Sequence, residues 1–305
     1  MTITVNPVTS DFVAEVYDID LSEPMTAQTI EAIKTAFWRY SILVFPDQQL
    51  TQDQHVRFAK HFGALDTSVV KTAVADNKLR VPEEIVDVSN LDGDNGVWKE
   101  DSRLRGLQLG NRLWHTDSSF KFVPALCSML YALEIPPIGG HTEFADLRAA
   151  YDALDENVKA QIDGLIAEHS LMYSRAKMGY DAWTDEERKA VAPVPQMLVR
   201  TLPQTGRKNL YIASHAGHIV GMDDAQAIPL LSELLEHATQ RQFTHTHRWR
   251  QNDLVMWDNR CALHRGLAFD DLRFRRDMQR ATVLDTDNTC VQAGKMVPEV
   301  VAATA

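Results

Sequence analysis

The chain has 305 residues, 45% of them hydrophobic and 24% charged, which is typical of a globular protein able to bury a core. Its formal net charge of -11 argues against a nucleic-acid partner, although it is compatible with a local basic pocket for a small anion. Three widely spaced cysteines argue against a disulfide scaffold and favour a reducing compartment. No apolar stretch has the length of a membrane span, so we predict a cytoplasmic protein with no membrane partner.

Near its start the chain carries clear local signals for two helices and a strand. Apolar residues at helical spacing predict a helix over 26–40. The compact apolar run 41–45, stopped by Pro46, predicts a buried strand. Thr51 and Gln54 have the spacing of a capping box, so we expect a second helix over 52–62 that ends at Gly63.

Two long segments, 64–110 and 170–208, show little periodicity. The first is rich in Asp, Asn, Lys and Gly, and the second contains several prolines. A long irregular segment within a compact domain is typically either a functional lid or a disordered stretch. Because 64–110 leads directly into the motif described next, we predict that it is a lid, and we treat 170–208 as lid-like. A surface loop without a role is the alternative.

The sequence His115-Thr116-Asp117 is the most informative short motif of the chain. On an extended segment, side chains two residues apart point to the same face, so the imidazole and the carboxylate can hold one metal ion together. With one more histidine the set becomes two His and one carboxylate, which is the facial triad of non-heme Fe(II) oxygenases. The motif alone is weak, because a surface or capping His–Asp pair has the same spacing.

Strands predominate in the prediction from residue 126 onward. The stretches that predict strands are 126–133, 141–144, 209–213, 218–220, 243–249, 253–257 and 278–284. Helical spacing predicts helices over 146–154, 156–168 and 223–239. No linker or repeat divides the chain, so we expect residues 1–305 to form a single domain. A few helices around many short antiparallel strands favour a mainly β fold with flanking helices, a jelly roll.

A third metal ligand and an arginine cluster are found near the end of the chain. His264 follows a predicted strand and a polar turn, and we expect it on the next strand. Arg276 and Arg280 are four residues apart, so on a strand they share one face and can each bind a carboxylate with two hydrogen bonds. Arg275 faces the other way and is expected in solvent.

These motifs together resemble the taurine dioxygenase and dichlorophenoxyacetate dioxygenase family of Fe(II)/2-oxoglutarate-dependent oxygenases. The resemblance is clearest from Phe45 to Leu284 and lies in Trp-His115-Thr-Asp117, Pro136-Pro-Ile-Gly-Gly-His-Thr142, Trp257-Asp-Asn-Arg260 with His264, and Arg276-Asp-Met-Gln-Arg280. It implies a distorted double-stranded β-helix, with Fe(II) and 2-oxoglutarate as cofactor and cosubstrate and O2 as oxidant. It also implies that His115, Asp117 and His264 hold the iron, that Thr142 and Arg276 hold the distal carboxylate of 2-oxoglutarate, and that Arg280 holds an anionic substrate.

Within that family the chain is most similar to the dichlorophenoxyacetate branch, notably over 114–120, 148–154 and 254–260. The implied substrate is a small aryloxyalkanoate, a phenoxyacetate or phenoxypropionate of the herbicide type. An alkylsulfonate or a sulfate ester is the alternative, because Arg280 fits either anion. Lys71, Arg207 and Asn111 are further candidates for substrate binding, although a solvated or structural role is an equal interpretation of each.

Three competing interpretations stay open from the sequence. A metal-binding jelly roll without redox activity would not need Thr142 and Arg276, which serve a cosubstrate. A zinc hydrolase would need a general base near the motif, and none is evident. His245 and His247 have strand spacing for two metal ligands, but no carboxylate or cysteine completes that set. The sequence leaves a homo-oligomer open.

Overall fold

The structure is a computed structural model that describes residues 3–67 and 80–299. Its strands are, in chain order, β1 (Thr4–Pro7), β2 (Val13–Tyr17), β3 (Ile42–Phe45), β4 (Ile85–Asp87), β5 (Ala125–Glu134), β6 (Thr142–Asp146), β7 (Ile166–His169), β8 (Val194–Met197), β9 (Val199–Thr201), β10 (Lys208–Leu210), β11 (Ala216–Ile219), β12 (Thr244–His247), β13 (Leu254–Asp258), β14 (Ala262–Gly266) and β15 (Asp277–Leu284). The α-helices are α1 (Ala27–Tyr40), α2 (Gln52–Ala59), α3 (Arg103–Leu109), α4 (Leu147–Asp152), α5 (Glu156–Ile162), α6 (Leu171–Ala176), α7 (Asp185–Ala190), α8 (Asp224–Ala238) and α9 (Thr289–Gln292).

A seven-stranded sheet of order β1-β2-β3-β13-β5-β15-β4 forms one wall of the fold. All its pairs are antiparallel except β2 with β3. Successive side chains of a strand point to opposite faces of the sheet, so a strand that is buried on both faces has apolar residues at successive positions of its sequence. In β5, Met129 and Tyr131 face the core under α1 and α2, whereas Leu130 and Ala132 face the opposite core.

A three-stranded sheet of order β12-β6-β14 forms the second wall. Phe144 of β6 and Ala262 of β14 pack in the same core cluster as Leu130 and Trp257 of the large sheet. Two antiparallel sheets that share a core between them are the arrangement of a jelly roll. The prediction of a mainly β jelly roll with flanking helices, a distorted double-stranded β-helix, is therefore confirmed.

The start of the chain folds as its local signals predict. Helix α1 begins after Thr26, whose side chain accepts a hydrogen bond from the Thr29 amide. Helix α2 has the predicted capping box between Thr51 and Gln54. It ends at Ala59 and not at Gly63, because the turn after Lys60 leaves the α-helical hydrogen-bond pattern.

Three other predictions of local structure are wrong. The helix expected over 156–168 stops at Ile162, because Gly164 adopts a φ of 75°, and the chain continues as the buried strand β7. The segment 170–208 is not irregular, since it contains α6, α7, β8 and β9. The segment 64–110 contains β4 and α3, and its residues 68–79 lie outside the described residues. The lid function of both segments and the single domain stay predictions.

Among the described residues no helix is both long enough and apolar enough to cross a membrane.

Candidate active site

The first site element is a short bridge between the motif and β14. The His115 amide donates to the His264 carbonyl at 2.9 Å, and the His264 amide donates to the His115 carbonyl at 2.8 Å. The chain then turns at Asp117, and Ser118 has a φ of 55°. The expected extended strand through Asp117 is thus wrong beyond His115, and the turn brings the carboxylate inward. The candidate ligand atoms of His115, Asp117 and His264 all lie within 4.8 Å of one another.

The two histidines of this group are buried and neutral. The Nδ1 of His115 lies 2.7 Å from the Leu113 carbonyl, which only accepts hydrogen bonds, so Nδ1 carries the proton and Nε2 keeps a free lone pair. Burial lowers the pKa of His115 to about 4, and it lowers the pKa of His264 well below its ordinary value. Both imidazoles are therefore available as ligands at neutral pH.

The Asp117 carboxylate is fixed by several donors. Ser128 Oγ donates to its Oδ2 at 2.7 Å, and the Asn259 amide donates to Ser128 Oγ at 2.9 Å. The Arg280 guanidinium contacts Oδ1. Burial alone would raise the pKa of Asp117, but the Arg280 guanidinium and the hydrogen bond from Ser128 help to lower it to about 2. Two neutral imidazoles and one ionised carboxylate, all buried, are the donor set that suits Fe(II).

Thr142 and Arg276 line the same pocket, and Arg276 contacts Gly140, two residues before Thr142. Thr142 begins β6, and Arg276 immediately precedes β15. The Arg276 Nε donates to the Gly140 carbonyl at 3.2 Å and its Nη1 to the Val88 carbonyl at 3.4 Å. No carboxylate of the described residues pairs with Arg276, and burial lowers its pKa to about 10. It is therefore still a cation at neutral pH.

Trp249 fixes the direction of the Thr142 hydroxyl. The indole Nε1 donates to Thr142 Oγ1 at 3.0 Å, and indole nitrogen is a donor only. The hydroxyl oxygen therefore acts as the acceptor in this contact, and its hydrogen is free to point at a ligand. Together with Arg276 this gives one fixed cation and one hydroxyl donor, which suits a terminal carboxylate.

The pocket that joins these groups has polar and apolar walls. Its polar lining includes His115, His264, Thr142, Arg276, Arg280 and Asn111. Its apolar lining includes Trp98, Leu109, Leu130, Trp257, Leu267 and Phe269. The structure thus brings six of the sequence-predicted site residues to one pocket, with Asp117 directly behind it. Their assignment as ligands stays a prediction.

One predicted substrate-binding residue of the described part of the chain, Arg207, does not line this pocket. The Arg207 guanidinium donates to Asp152 at 2.6 Å and to Asp11 at 3.2 Å, at the surface. Arg207 is paired there and does not line the pocket, so its predicted role as a substrate ligand is not supported. Lys71 lies outside the described residues. His247 Nε2 donates to the Asp253 carboxylate at 3.0 Å, and no metal-binding group of the described residues includes His247 or His245.

Sequence reasoning missed a charged cluster in the lining of the pocket. Arg105 and Arg112 both pair with Asp271, at 3.1 and 3.5 Å, and all three residues line the pocket. Arg105 lies on α3, within the segment taken as irregular, so its side-chain direction was not available from the sequence. The spacing of the apolar residues Leu104 and Leu107 is the signal that could have indicated helix α3.

Comparison with known proteins gives a consistent result. Residues 4–282 match the family described as taurine catabolism dioxygenase TauD, TfdA family. An alpha-ketoglutarate-dependent 2,4-dichlorophenoxyacetate dioxygenase from Cupriavidus pinatubonensis is 44% identical over 285 residues, covering 93% of this chain and 99% of that protein. An (S)-phenoxypropionate/alpha-ketoglutarate-dioxygenase from Sphingobium herbicidovorans is 37% identical over 272 residues, covering 87% of this chain and 89% of that protein.

A solved structure is also similar over nearly the whole chain. The crystal structure of AAD-2 in complex with Mn(II) and N-oxalylglycine superposes with a TM-score of 0.90 at 45% sequence identity, covering 95% of this chain and 100% of that one. Relatives that act on sulfate esters are less similar, at 30% identity or below.

Proposed function

The chain belongs to the taurine catabolism dioxygenase TauD, TfdA family, and from this membership we propose that it cleaves aryloxyalkanoates by oxidising a C–H bond. It is an Fe(II)- and 2-oxoglutarate-dependent dioxygenase that uses O2. The proposed substrates are phenoxyacetates and phenoxypropionates of the herbicide type. The carbon between the ether oxygen and the carboxylate is hydroxylated, while 2-oxoglutarate is converted to succinate and CO2.

The ether bond breaks as a consequence of that hydroxylation. One oxygen atom of O2 enters the substrate and the other enters succinate. The hydroxylated carbon then carries both a hydroxyl and an aryloxy group, which is a hemiacetal, or a hemiketal for a phenoxypropionate. It collapses to a phenol and an oxoacid, so no hydrolytic group is required of the protein.

We propose His115, Asp117 and His264 as the iron ligands. Bound Fe(II), with 2-oxoglutarate and O2, supplies the oxidising power that replaces a C–H bond by C–OH. The protein contributes the fixed ligand directions. The Leu113 carbonyl sets the His115 tautomer, and Ser128 holds one oxygen of Asp117. Outer hydrogen bonds of this kind typically change metal affinity 10- to 100-fold.

The other groups of the pocket divide between the two organic ligands. Thr142 and Arg276 are the proposed partners of the distal carboxylate of 2-oxoglutarate. Arg280, with Asn111, is the proposed partner of the substrate carboxylate; the Arg280 Nε has no hydrogen-bond partner among the described residues. The apolar side chains of Trp98, Leu109 and Phe269 are suited to cover an aromatic ring. Lys71 is retained as a further candidate cation.

The observation that carries the proposal is one pocket lined by proposed iron ligands, by the two proposed carboxylate-binding arginines Arg276 and Arg280, and by an apolar wall. A small alkylsulfonate or sulfate ester has no ring to fill that wall, and so it is the second candidate. Family membership excludes the two other interpretations of the sequence, a metal-binding protein without redox activity and a zinc hydrolase. From the net charge of -11 and three buried free cysteines, we also propose a cytoplasmic enzyme without a nucleic-acid or membrane partner.

The test is product analysis with purified enzyme, Fe(II), 2-oxoglutarate and O2. The substrates are phenoxyacetate, both enantiomers of 2-phenoxypropionate, an alkylsulfonate and an alkyl sulfate. We expect phenol in step with succinate from at least one phenoxy acid, and little sulfite or sulfate. Coupled release of sulfite or sulfate without phenol would replace the proposed substrate with the second candidate and leave the iron site unaffected.

A further inference from the structure

Four arginine side chains are at least nine-tenths buried in the described part of the chain, and one of them differs from the rest. Three are paired with an aspartate: Arg148 with Asp146 at 2.9 Å, Arg200 with Asp285 at 2.6 Å and Arg260 with Asp258 at 2.7 Å. The fourth, Arg175 on α6, has no carboxylate at ion-pair distance within 3–67 and 80–299. A buried charge without an opposite charge is strongly unfavourable, so this exception requires a reason.

The contacts of the Arg175 guanidinium are few and neutral. Its Nη2 donates to Asn111 Oδ1 at 3.2 Å and its Nη1 to Ser174 Oγ at 3.3 Å, while Nε has no partner in the described part of the molecule. Burial lowers its pKa to about 10, so it is still a cation at neutral pH. Asp117 lies near enough to stabilise this charge electrostatically, but that carboxylate is already in contact with Arg280.

Gly110 makes room for this cation. A Cβ atom on Gly110 would lie 2.4 Å from three guanidinium atoms of Arg175. The backbone there has a φ of −60° and a ψ of −19°, which any residue adopts, so no conformational reason requires glycine. The position therefore suits glycine because the guanidinium lies directly against the backbone before Asn111.

The same contact determines which way the Asn111 amide faces. A guanidinium only donates hydrogen bonds, so the oxygen of the Asn111 side chain must face Arg175. The NH2 group is then directed away from Arg175, and Asn111 lines the same pocket as His115. Within the described residues Asn111 Nδ2 donates to no protein group. Asn111 is thereby fixed as a hydrogen-bond donor.

We propose that Arg175 and Asn111 form a second recognition element for the substrate carboxylate, in addition to Arg280. Asn111 donates its NH2 to a carboxylate oxygen, and Arg175 is the positioning residue that holds the amide and supplies an uncompensated positive charge. The incoming substrate is then the anion that the buried cation lacks. This inference rests on the proposed function for the identity of the anion, and on the structure for the unpaired cation.

Thermal unfolding of matched variants tests the unpaired cation without any substrate. Arg175→Met removes a buried charge that has no partner, so we expect an unchanged or higher Tm. Arg200→Met is the matched control, because it leaves Asp285 buried without its cation and should lower the Tm. Asn111→Asp supplies the missing carboxylate next to Arg175 and should raise the Tm.

Steady-state kinetics test recognition. Arg175→Met should raise the KM for the phenoxy acid about 10- to 100-fold, the usual range for a lost hydrogen bond to a charged group. Its KM for 2-oxoglutarate should stay within about twofold, because Thr142 and Arg276 do not contact Arg175. Gly110→Ala should raise the KM for the phenoxy acid in the same direction, because the new Cβ displaces the guanidinium. Asn111→Asp should raise it further, since it places a second carboxylate beside the substrate.

Two results would overturn the inference. One is a Tm loss in Arg175→Met as large as that in Arg200→Met, with the KM for the phenoxy acid unchanged, which would make Arg175 purely structural. The other is an additive effect of Arg175→Met and Asn111→Ala on that KM, because residues that act as one unit give non-additive effects. If the unmodified enzyme turns over no phenoxy acid, the proposed function fails, and the Tm comparison alone decides the inference.

Discussion

Replacing Arg276 by Ala should sharply weaken the use of 2-oxoglutarate. Two backbone carbonyls hold the guanidinium in place, at 3.2 and 3.4 Å, and no described carboxylate competes for it. Its removal would leave the cosubstrate carboxylate buried without a cation, which typically costs about 2–5 kcal/mol. About 1.4 kcal/mol corresponds to each factor of ten, so the 2-oxoglutarate concentration required for half-maximal turnover should rise roughly 30-fold to several-thousand-fold. Arg276→Lys should recover only part of the affinity for 2-oxoglutarate, because an ammonium cannot form two parallel hydrogen bonds with a carboxylate.

Arg275→Ala is the matched control for this prediction. The Arg275 side chain is 38% exposed and pairs with Glu134 at 2.9 Å, and an exposed ion pair is worth about 0–1 kcal/mol. The assays are anaerobic 2-oxoglutarate titration of the Fe(II) enzyme, followed by its absorbance, and succinate formation against cosubstrate concentration. An unchanged 2-oxoglutarate requirement in Arg276→Ala, or an equal loss in Arg275→Ala, would refute the assignment.

Three further predictions concern the iron, the cosubstrate and the fold. Asp117→Ala should abolish Fe(II) binding and succinate formation while the circular dichroism spectrum is unchanged, and full activity would contradict the ligand set. Trp249→Phe removes the donor to Thr142, so the KM for 2-oxoglutarate should rise roughly 2- to 12-fold at constant Fe(II) affinity. Burial lowers the pKa of His55 from 6.5 to about 4, so its neutral form stabilises the fold above pH 6.5 and this contribution is lost as the pH falls towards 4. In His55→Gln, the free energy of unfolding measured with denaturant should change with pH by about 1.4 kcal/mol less per pH unit in that window than in the unmodified protein. An equal slope in the two proteins would show that the fold does not disfavour protonation of His55.

The parts of the fold that follow from the sequence are those set by neighbours in the chain. The caps at Thr26 and Thr51 act on amides two or three residues away, so both helix starts were predictable. Strand β7 is different, because its partners β8 and β11 lie about 30 and 50 residues further on. Its short apolar run is compatible with a helix until those partners are known, and the expected helix over 156–168 was wrong for that reason.

In the candidate site, too, features set by nearby residues could be predicted, whereas features that depend on distant residues could not. The spacing of His115 and Asp117, and the position of His264 on a following strand, could be predicted from the sequence and the family resemblance. The turn at Asp117 could not, because it depends on Asn259, whose side-chain oxygen accepts from the Asp117 amide at 3.1 Å. Arg175 carries no sequence signal at all, since being buried without a carboxylate is a property of the folded surroundings.

Three of the proposed ligand-binding groups, Thr142, Asn111 and Asp117, are oriented by side chains outside the pocket. Each of the three accepts a hydrogen bond from a side chain that does not itself line the pocket: Thr142 from Trp249, Asn111 from Arg175 and Asp117 from Ser128. The hydrogen bond from outside decides which atom each of these residues presents to a ligand. Thr142 and Asn111 present a hydrogen to a ligand oxygen, whereas Asp117 presents a carboxylate oxygen to a cation. Groups fixed in this way need little reorganisation when a ligand arrives. Substitution of the outer residues should therefore change affinity for one ligand at a time, because the three contacts lie on separate elements and share no side chain.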